Sequence, residues 1–469
     1  MPCAFRTVKC ILWGVLMIIG RSSEIEYLNK IFNSSDGSLV TLYGRAGVGT
    51  SSVWHEFVKD KKYVYIKCPK ASSKQISFLI SGDLTLKGFE FSDEFPSFDV
   101  ILETVSNKYK SDKFVLIIDD FENCFKADDL FIETLFSFVK QHSEKLLCLL
   151  VSHDTRYVEN TFVSKIGKNA LSINGFLKVQ PVSFIDLVMF YNTQDTSKCM
   201  DFYALLGGNI AFYNYFDINN SLKDNIIKTF LKSDSVFRRA GNDVVLEYLR
   251  EVNVYGTILY CLANGHNKLN DIYLHTGFSR AKISVYLKNL MSLDTVEKVS
   301  SFDTPGNENT IKGVYRISNP IVNFWYKFIY PHESYLELMT PERFYDTFIN
   351  DNIPDFLKEA LPLICKEYLT LLNKKHGLPI KVTKSGEWVG KAGTIHFIGK
   401  DEHRNILAAY CALGSDPMNY SEFEWFDYCL KEAKIKADYI YLFSKNGFDE
   451  DLSEMIWDRE VTYVDIRNL

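Results

Sequence analysis

The sequence predicts an α/β chain whose first part carries a buried parallel sheet, with further domains behind it. Three observations predict this. The runs 114–118 (FVLII) and 146–151 (LLCLLV) are apolar at every position, as in strands covered on both faces. A third run, 39–43 (LVTLY), ends at a glycine-rich turn that opens a helical pattern from Ser52. The chain has 469 residues, which at roughly 100–200 residues per domain makes two to four domains.

Composition narrows the class. Apolar residues make up 46% and charged residues 24%, the balance of a globular protein rather than a fibrous or disordered one. A net charge of −6 excludes a protein that coats polyanions, so any nucleic-acid contact must come from a local basic surface. The 10 cysteines form no CxxC pair and no zinc-ligand spacing with the 9 histidines. Several sit in apolar runs, as free thiols of a reducing, cytoplasmic compartment do. Near the N-terminus, Arg6 and Lys9 precede CILWGVLMIIG, which imitates a signal peptide but is too short to span a bilayer and lacks a small-residue cleavage site. Residues 1–16 read as an extension, with Met17 as the natural start, and no membrane partner is expected.

From there the elements follow in order. Residues 24–33 place Ile25, Leu28 and Ile31 or Phe32 on one helical face. The strand 39–43 then runs into Gly44-Arg45-Ala46-Gly47-Val48-Gly49-Thr50-Ser51, followed by Ser52. Aligned to GxxxxGK[ST], this is a phosphate-binding loop whose backbone N–H groups close around phosphate at a helix N-terminus. Ser51 stands where the hydroxyl ligand of Mg²⁺ belongs. Thr50 occupies the place of the lysine that reaches the β- and γ-phosphates. Losing that charge-assisted bond removes about 1.5–3 kcal/mol, roughly one to two decades in affinity, and weakens hydrolysis more. The strand 114–118 ends in Asp119, placed to hold Mg²⁺ through water, and Asp120, placed as the water-activating acid but one methylene shorter than the usual glutamate. The third strand ends in Ser152, His153 and Asp154, either a γ-phosphate sensor or a plain loop. A P-loop NTPase core at 17–180, with ATP and Mg²⁺ as cofactors, is the expectation.

The blocks IIGRSSEIEYL, LVTLYGRAGVG, VLIIDDFE and LLGGNIAFY, in this order, resemble the archaeal-type ATPases, a branch of the AAA+/STAND P-loop proteins also found in bacteria. The resemblance runs from about Ile18 to the C-terminus. The family's Gly-Gly-x-Pro element stands here as Gly207-Gly208-Asn209-Ile210, without the proline, and Thr50 departs from the family's lysine.

Residues 181–250 carry helical periodicity and read as a lid, with Arg238 and Arg239 either near the phosphates, as in similar proteins, or solvated. Residues 251–320 read as a winged helix-turn-helix: three helices, a glycine turn at Gly277 before the third, then two strands around a polar loop at 303–310 with Asp303 and Glu308. Ser279 caps the third helix, from which Arg280, Lys282 and Lys288 project with Ser284 between. That helix serves either DNA contact or protein packing.

Residues 321–469 resemble the restriction-endonuclease-like domain that follows the winged helix in this family. Its chemistry needs carboxylates around Mg²⁺ and a lysine. At the corresponding positions this chain has Pro362 and Leu363, Thr394-Ile395-His396, and Tyr410-Cys411-Ala412. His396 alone cannot hold a cation that prefers oxygen ligands, so this domain is expected to be inactive. Three readings follow: an ATP-binding DNA- or protein-binding module with weak or absent hydrolysis, an active ATPase in which Arg45 or Lys61 supplies the missing charge, and a regulatory pseudoenzyme that binds no nucleotide.

Overall fold

The structure, a computed structural model, describes residues 20–34, 38–109, 112–191, 195–243, 249–302, 313–414, 416–456 and 459–469. The extension 1–16, the wing loop 303–310 and part of the lid at 244–248 lie outside the described residues. The rest divides into two compact units: one runs from Gly20 to Pro181 and takes in Asn209–Ala211, and the other joins Val182–Gly208 to Phe212–Leu469.

In the first unit the chain runs α1 (Ser22–Asn33), β1 (Ser38–Tyr43), α2 (Thr50–Phe57), β2 (Tyr63–Lys67), α3 (Ser73–Leu86), α4 (Phe98–Lys108), β3 (Phe114–Asp119), α5 (Glu122–Ala127), α6 (Phe131–Gln141), β4 (Leu146–Ser152) and β5 (Gly175–Lys178). The sheet is parallel throughout, in the order β2-β3-β4-β1-β5. Its uniform apolar runs are explained by the layers on both faces. Phe114, Leu116 and Ile118 point into the core shared with α3, α4 and α6, while Val115 and Ile117 meet Leu28, Val53 and Phe57 of α1 and α2. Alternate residues of one strand thus serve two cores. Since β4 lies between β1 and β3, the turn after β1, Ser152 and the acids after β3 stand side by side at the C-terminal edge. Ligands of open α/β sheets bind at this edge.

The second unit begins with α7 (Phe184–Tyr191) and α8 (Thr196–Leu206), which ends at Gly207 with φ 56°. Next come three helices, α9 (Val252–Ala263), α10 (Leu269–Thr276) and α11 (Arg280–Ser292), and the antiparallel ribbon β6 (Val296–Val299) and β7 (Val314–Ile317). Gly277 closes α10 at φ 68°, a left-handed conformation that favours glycine, so the chain turns sharply into α11. Ser279 caps α11 by accepting from the Lys282 N–H at 3.3 Å. The unit ends in α12 (Leu361–Lys374), β8 (Lys384–Val389), β9 (Thr394–Lys400), β10 (Ile406–Ala412), α13 (Tyr420–Glu432), β11 (Tyr439–Ser444) and β12 (Val461–Asp465). These strands form a mixed sheet in the order β12-β11-β10-β9-β8, antiparallel from β8 to β10 and parallel from β10 to β12. Glu367 of α12 caps α7, accepting from the Phe184 N–H at 2.8 Å and the Tyr203 hydroxyl at 2.6 Å. Burial raises its carboxyl to about 7 against those two bonds.

Candidate nucleotide-binding site

The turn after β1 is shaped by what cannot be there. Gly44 donates its N–H to the Ser152 carbonyl at 3.2 Å, and a Cβ on Gly44 would stand 2.8 Å from the Val179 carbonyl oxygen and 2.9 Å from Val48 Cγ2. Gly47 and Gly49 have φ of 92° and 96°, where only glycine is unstrained. Gly49 is the N-cap of α2 and offers no side chain to its first-turn N–H groups. Those donors and the helix dipole are therefore left to an anion. Thr50 is 1% exposed and lies inside the loop, its Oγ1 3.2 Å from the place of a Gly44 Cβ and without a partner among the described residues. Ser51 is exposed at the second position of α2, with Ser52 half-buried behind it. A nucleotide polyphosphate fits this cradle. It offers orphan N–H groups, a buried unpartnered hydroxyl and no room for a Cβ at its entrance.

Two further segments close over the loop. Arg21, just before α1, is 4% exposed; its guanidinium donates to the Val48 carbonyl at 2.6 Å and pairs with Glu24 at 3.2 Å. Its Nη2 lies 4.0 Å from the place of a Gly49 Cβ. Behind the Gly207-Gly208 element, Ala211 donates its N–H to the Gly47 carbonyl at 3.1 Å and Ile210 packs on Gly49. Nothing in the GRSSE block itself marks Arg21 for this contact. Arg45 is half-buried within the loop. Lys61 lies elsewhere: it pairs with Asp60 at 2.7 Å and covers the Phe57 ring at the far end of α2. Eight residues of helix, about 12 Å, separate that end from the loop.

The acids after β3 are buried and already engaged. Asp119 Oδ2 accepts from the Tyr65 hydroxyl at 2.7 Å and from Lys67 Nζ at 3.0 Å, and its Oδ1 accepts from the Asp120 N–H at 3.0 Å. Asp120 adopts φ 52° and meets the same Lys67 ammonium at 3.2 Å. Burial works against that ammonium, but the two carboxylates outweigh it and hold Lys67 above its ordinary value. Burial and the Asp119 charge both raise the Tyr65 phenol, which stays a donor. Trp54 of α2 stacks on Tyr65 at 5.2 Å and so ties the loop's helix to the acids.

Glu122, which opens α5 and is 5% exposed, carries no mark in the sequence that sets it apart. Burial and the Asp120 charge push its carboxyl up to about 7, against a hydrogen bond from Ser152 and the charge of Lys126. A carboxyl titrating near neutrality beside the acid pair suits a general base. Burial was the signal, and the composition of DDFE does not show it.

In the second unit, Arg280, Lys282, Ser284 and Lys288 are all exposed on α11. Arg280 donates to Asn270 Oδ1 at 2.6 Å and lies over the Tyr273 ring at 4.1 Å; Lys282 lies over Phe278 at 4.9 Å. Arg238 is held by the Leu231 carbonyl and Glu337, and Arg239 is exposed. Pro362 opens α12 and Leu363 is exposed, Thr394-Ile395-His396 opens β9, and Tyr410-Cys411-Ala412 closes β10. His396 Nδ1 accepts from the Cys411 N–H at 3.1 Å. Burial pushes the Cys411 thiol up, but its bond with Cys365 and the His396 imidazole outweigh this and lower it.

The parallel sheet, the loop after β1 and the acids after β3 define a P-loop ATPase fold. Comparisons with known proteins add the following. The family described as "Archaea bacterial proteins of unknown function" matches residues 325–413. An uncharacterized protein of Methanocaldococcus jannaschii is 24% identical over 462 residues, 92% of this chain and 93% of that protein. An uncharacterized ATP-binding protein of the same archaeon is 33% identical over 51 residues, 11% of this chain and 86% of that protein. Among solved structures, the ORC2 protein of Aeropyrum pernix is similar with a TM-score of 0.41 and 15% identity, covering 73% of this chain and 97% of its own. Cdc6p of Pyrobaculum aerophilum gives 0.33 and 14%, covering 73% and 98%. Among the described residues no helix is long and apolar enough to cross a membrane.

Proposed function

We propose that the protein is a nucleotide-binding module of the P-loop ATPase type that holds ATP with reduced affinity and hydrolyses it slowly or not at all. The observation that carries this is the complete glycine cradle closed around a buried, unpartnered Thr50 hydroxyl in place of a lysine. The similarity to a protein named as ATP-binding supports the same reading. Calorimetric titration with ATP tests it. Thr50→Lys is expected to tighten ATP about ten- to hundredfold, since one charge-assisted bond is regained. An unchanged affinity would show that this side chain does not face the phosphates.

A second role is supported by the exposed cations of α11. They suit contact with DNA through a winged helix, with phosphate as the first target. Replacing Arg280 and Lys282 together with alanine is expected to weaken DNA binding and to lower the salt slope by about two. Absence of binding to duplex DNA at low salt would remove this role. The C-terminal sheet unit then serves as a nuclease-like scaffold for partner contact, without carboxylates at 394–396 and 410–412. A nuclease assay with Mg²⁺ is expected to show no cleavage.

A further inference from the structure

We propose that Lys67 is the resident cation of the nucleotide site, supplying from the neighbouring strand the positive charge that Thr50 no longer brings and that a divalent ion would otherwise have to supply. The proposal rests on the nucleotide reading above and concerns how that nucleotide's charge is met.

Lys67 of β2 pairs with Asp119 of β3 and Tyr65 with Ile117, so Tyr65 and Lys67, two residues apart, present side chains on one face at the strand's end. Both reach Asp119 Oδ2, at 2.7 and 3.0 Å, and Lys67 spans to Asp120 Oδ2 at 3.2 Å. The two carboxylates are 8% and 5% exposed, whereas the lysine side chain is 52% exposed. One ammonium thus bridges two buried acids and keeps an open side.

Charge makes this arrangement consequential. Two buried carboxylates beside a polyphosphate repel it unless a cation stands between them. A phosphate-loop lysine and Mg²⁺ are the usual sources of that cation. The loop position here is Thr50, and an Mg²⁺ ion bound directly by Asp119 competes with the Lys67 ammonium, because three of the carboxylate's roughly four acceptor sites are taken, two on Oδ2 and one on Oδ1. Lys67 leaves one net negative charge on the acid pair, against two without it. With two of its three N–H donors on the carboxylates, one is left to turn to a phosphate oxygen.

The test is ATP affinity measured by calorimetry on the full chain, in EDTA and in excess Mg²⁺. Wild-type affinity is expected to change less than about threefold between the two buffers. Lys67→Gln is expected to lose about tenfold or more in EDTA and to recover in Mg²⁺, because the freed carboxylates then accept the ion. Lys67→Arg, which keeps the charge, is expected to behave as wild type and guards against a loss of fold being read as a loss of charge. A wild-type protein that binds ATP in Mg²⁺ and loses it in EDTA would overturn the proposal while leaving the nucleotide reading intact. So would Lys67→Gln binding normally in EDTA. No ATP binding in either buffer would overturn the nucleotide reading and this proposal together.

Discussion

Trp325→Ala is expected to cost the second unit about 3–5 kcal/mol, the range for removing a large aromatic side chain from a core. Trp325 is fully buried. Its ring meets Tyr326 and Tyr330 with centroids 5.0 and 5.8 Å away. The backbone cannot collapse cheaply into the space, because Gly241 already presses on the indole so closely that a Cβ there would stand 2.1 Å from Trp325 Cε3. The indole N–H also donates to the Arg238 carbonyl at 2.8 Å, an acceptor that the alanine variant leaves without this donor. Arg238 is itself held by the Leu231 carbonyl at 2.6 Å, so the segment is fixed on both sides of the gap. Trp325→Phe keeps most of the volume and is expected to lose clearly less. Calorimetric unfolding of both variants against wild type checks this. A loss below about 1 kcal/mol for the alanine variant would mean that the site repacks.

What the sequence made legible and what it hid follow from the range of each signal. The strands 114–118 and 146–151 announced themselves because burial on both faces removes every polar residue, a purely local mark. The loop was equally local, since Gly44, Gly47 and Gly49 are required by the turn itself. Strand order was not, because nothing in β4 states that it will lie between β1 and β3. The same limit hid two charged residues. Arg21 reaches Val48 across 27 positions, Lys67 reaches Asp119 across 52, and both look in sequence like ordinary surface cations. Lys61, which looked a candidate for the missing charge, is drawn to the ring of Phe57 instead. Val182–Gly208 and Phe212–Leu469 pack as one compact unit, which no single stretch of sequence declares.

Glu122→Gln is expected to stabilise the protein by about 3 kcal/mol at pH 8 and by less than about 1 kcal/mol at pH 5. The sign follows from the proton. Burial and Asp120 raise the folded carboxyl from 4.5 to about 7, so between those values the native state binds a proton that the unfolded state has released. Stability is then lost as pH rises through that window, because folding must bury a charge that water had solvated. Below about pH 4.5 both states are protonated and the penalty vanishes; above about pH 7 it is present in full. One Glu122 oxygen, Oε2, has no partner among the described residues, and the Ser152 hydrogen bond and the Lys126 charge offset the cost of ionisation only in part. Glutamine keeps the shape and removes the titration. Calorimetric unfolding of both proteins from pH 5 to 8 checks the difference between them, in which every other titrating group cancels. A difference that does not vary with pH would show that Glu122 ionises freely in the fold. The same carboxyl carries a functional consequence. If residual ATP hydrolysis exists and Glu122 is its base, the rate in wild type rises with pH through about 7, as the base loses its proton, and Glu122→Gln abolishes both the rate and the rise. Hydrolysis that persists in Glu122→Gln but is lost in Asp120→Asn would assign the base to Asp120. The stability difference would remain, since it depends on burial and not on catalysis.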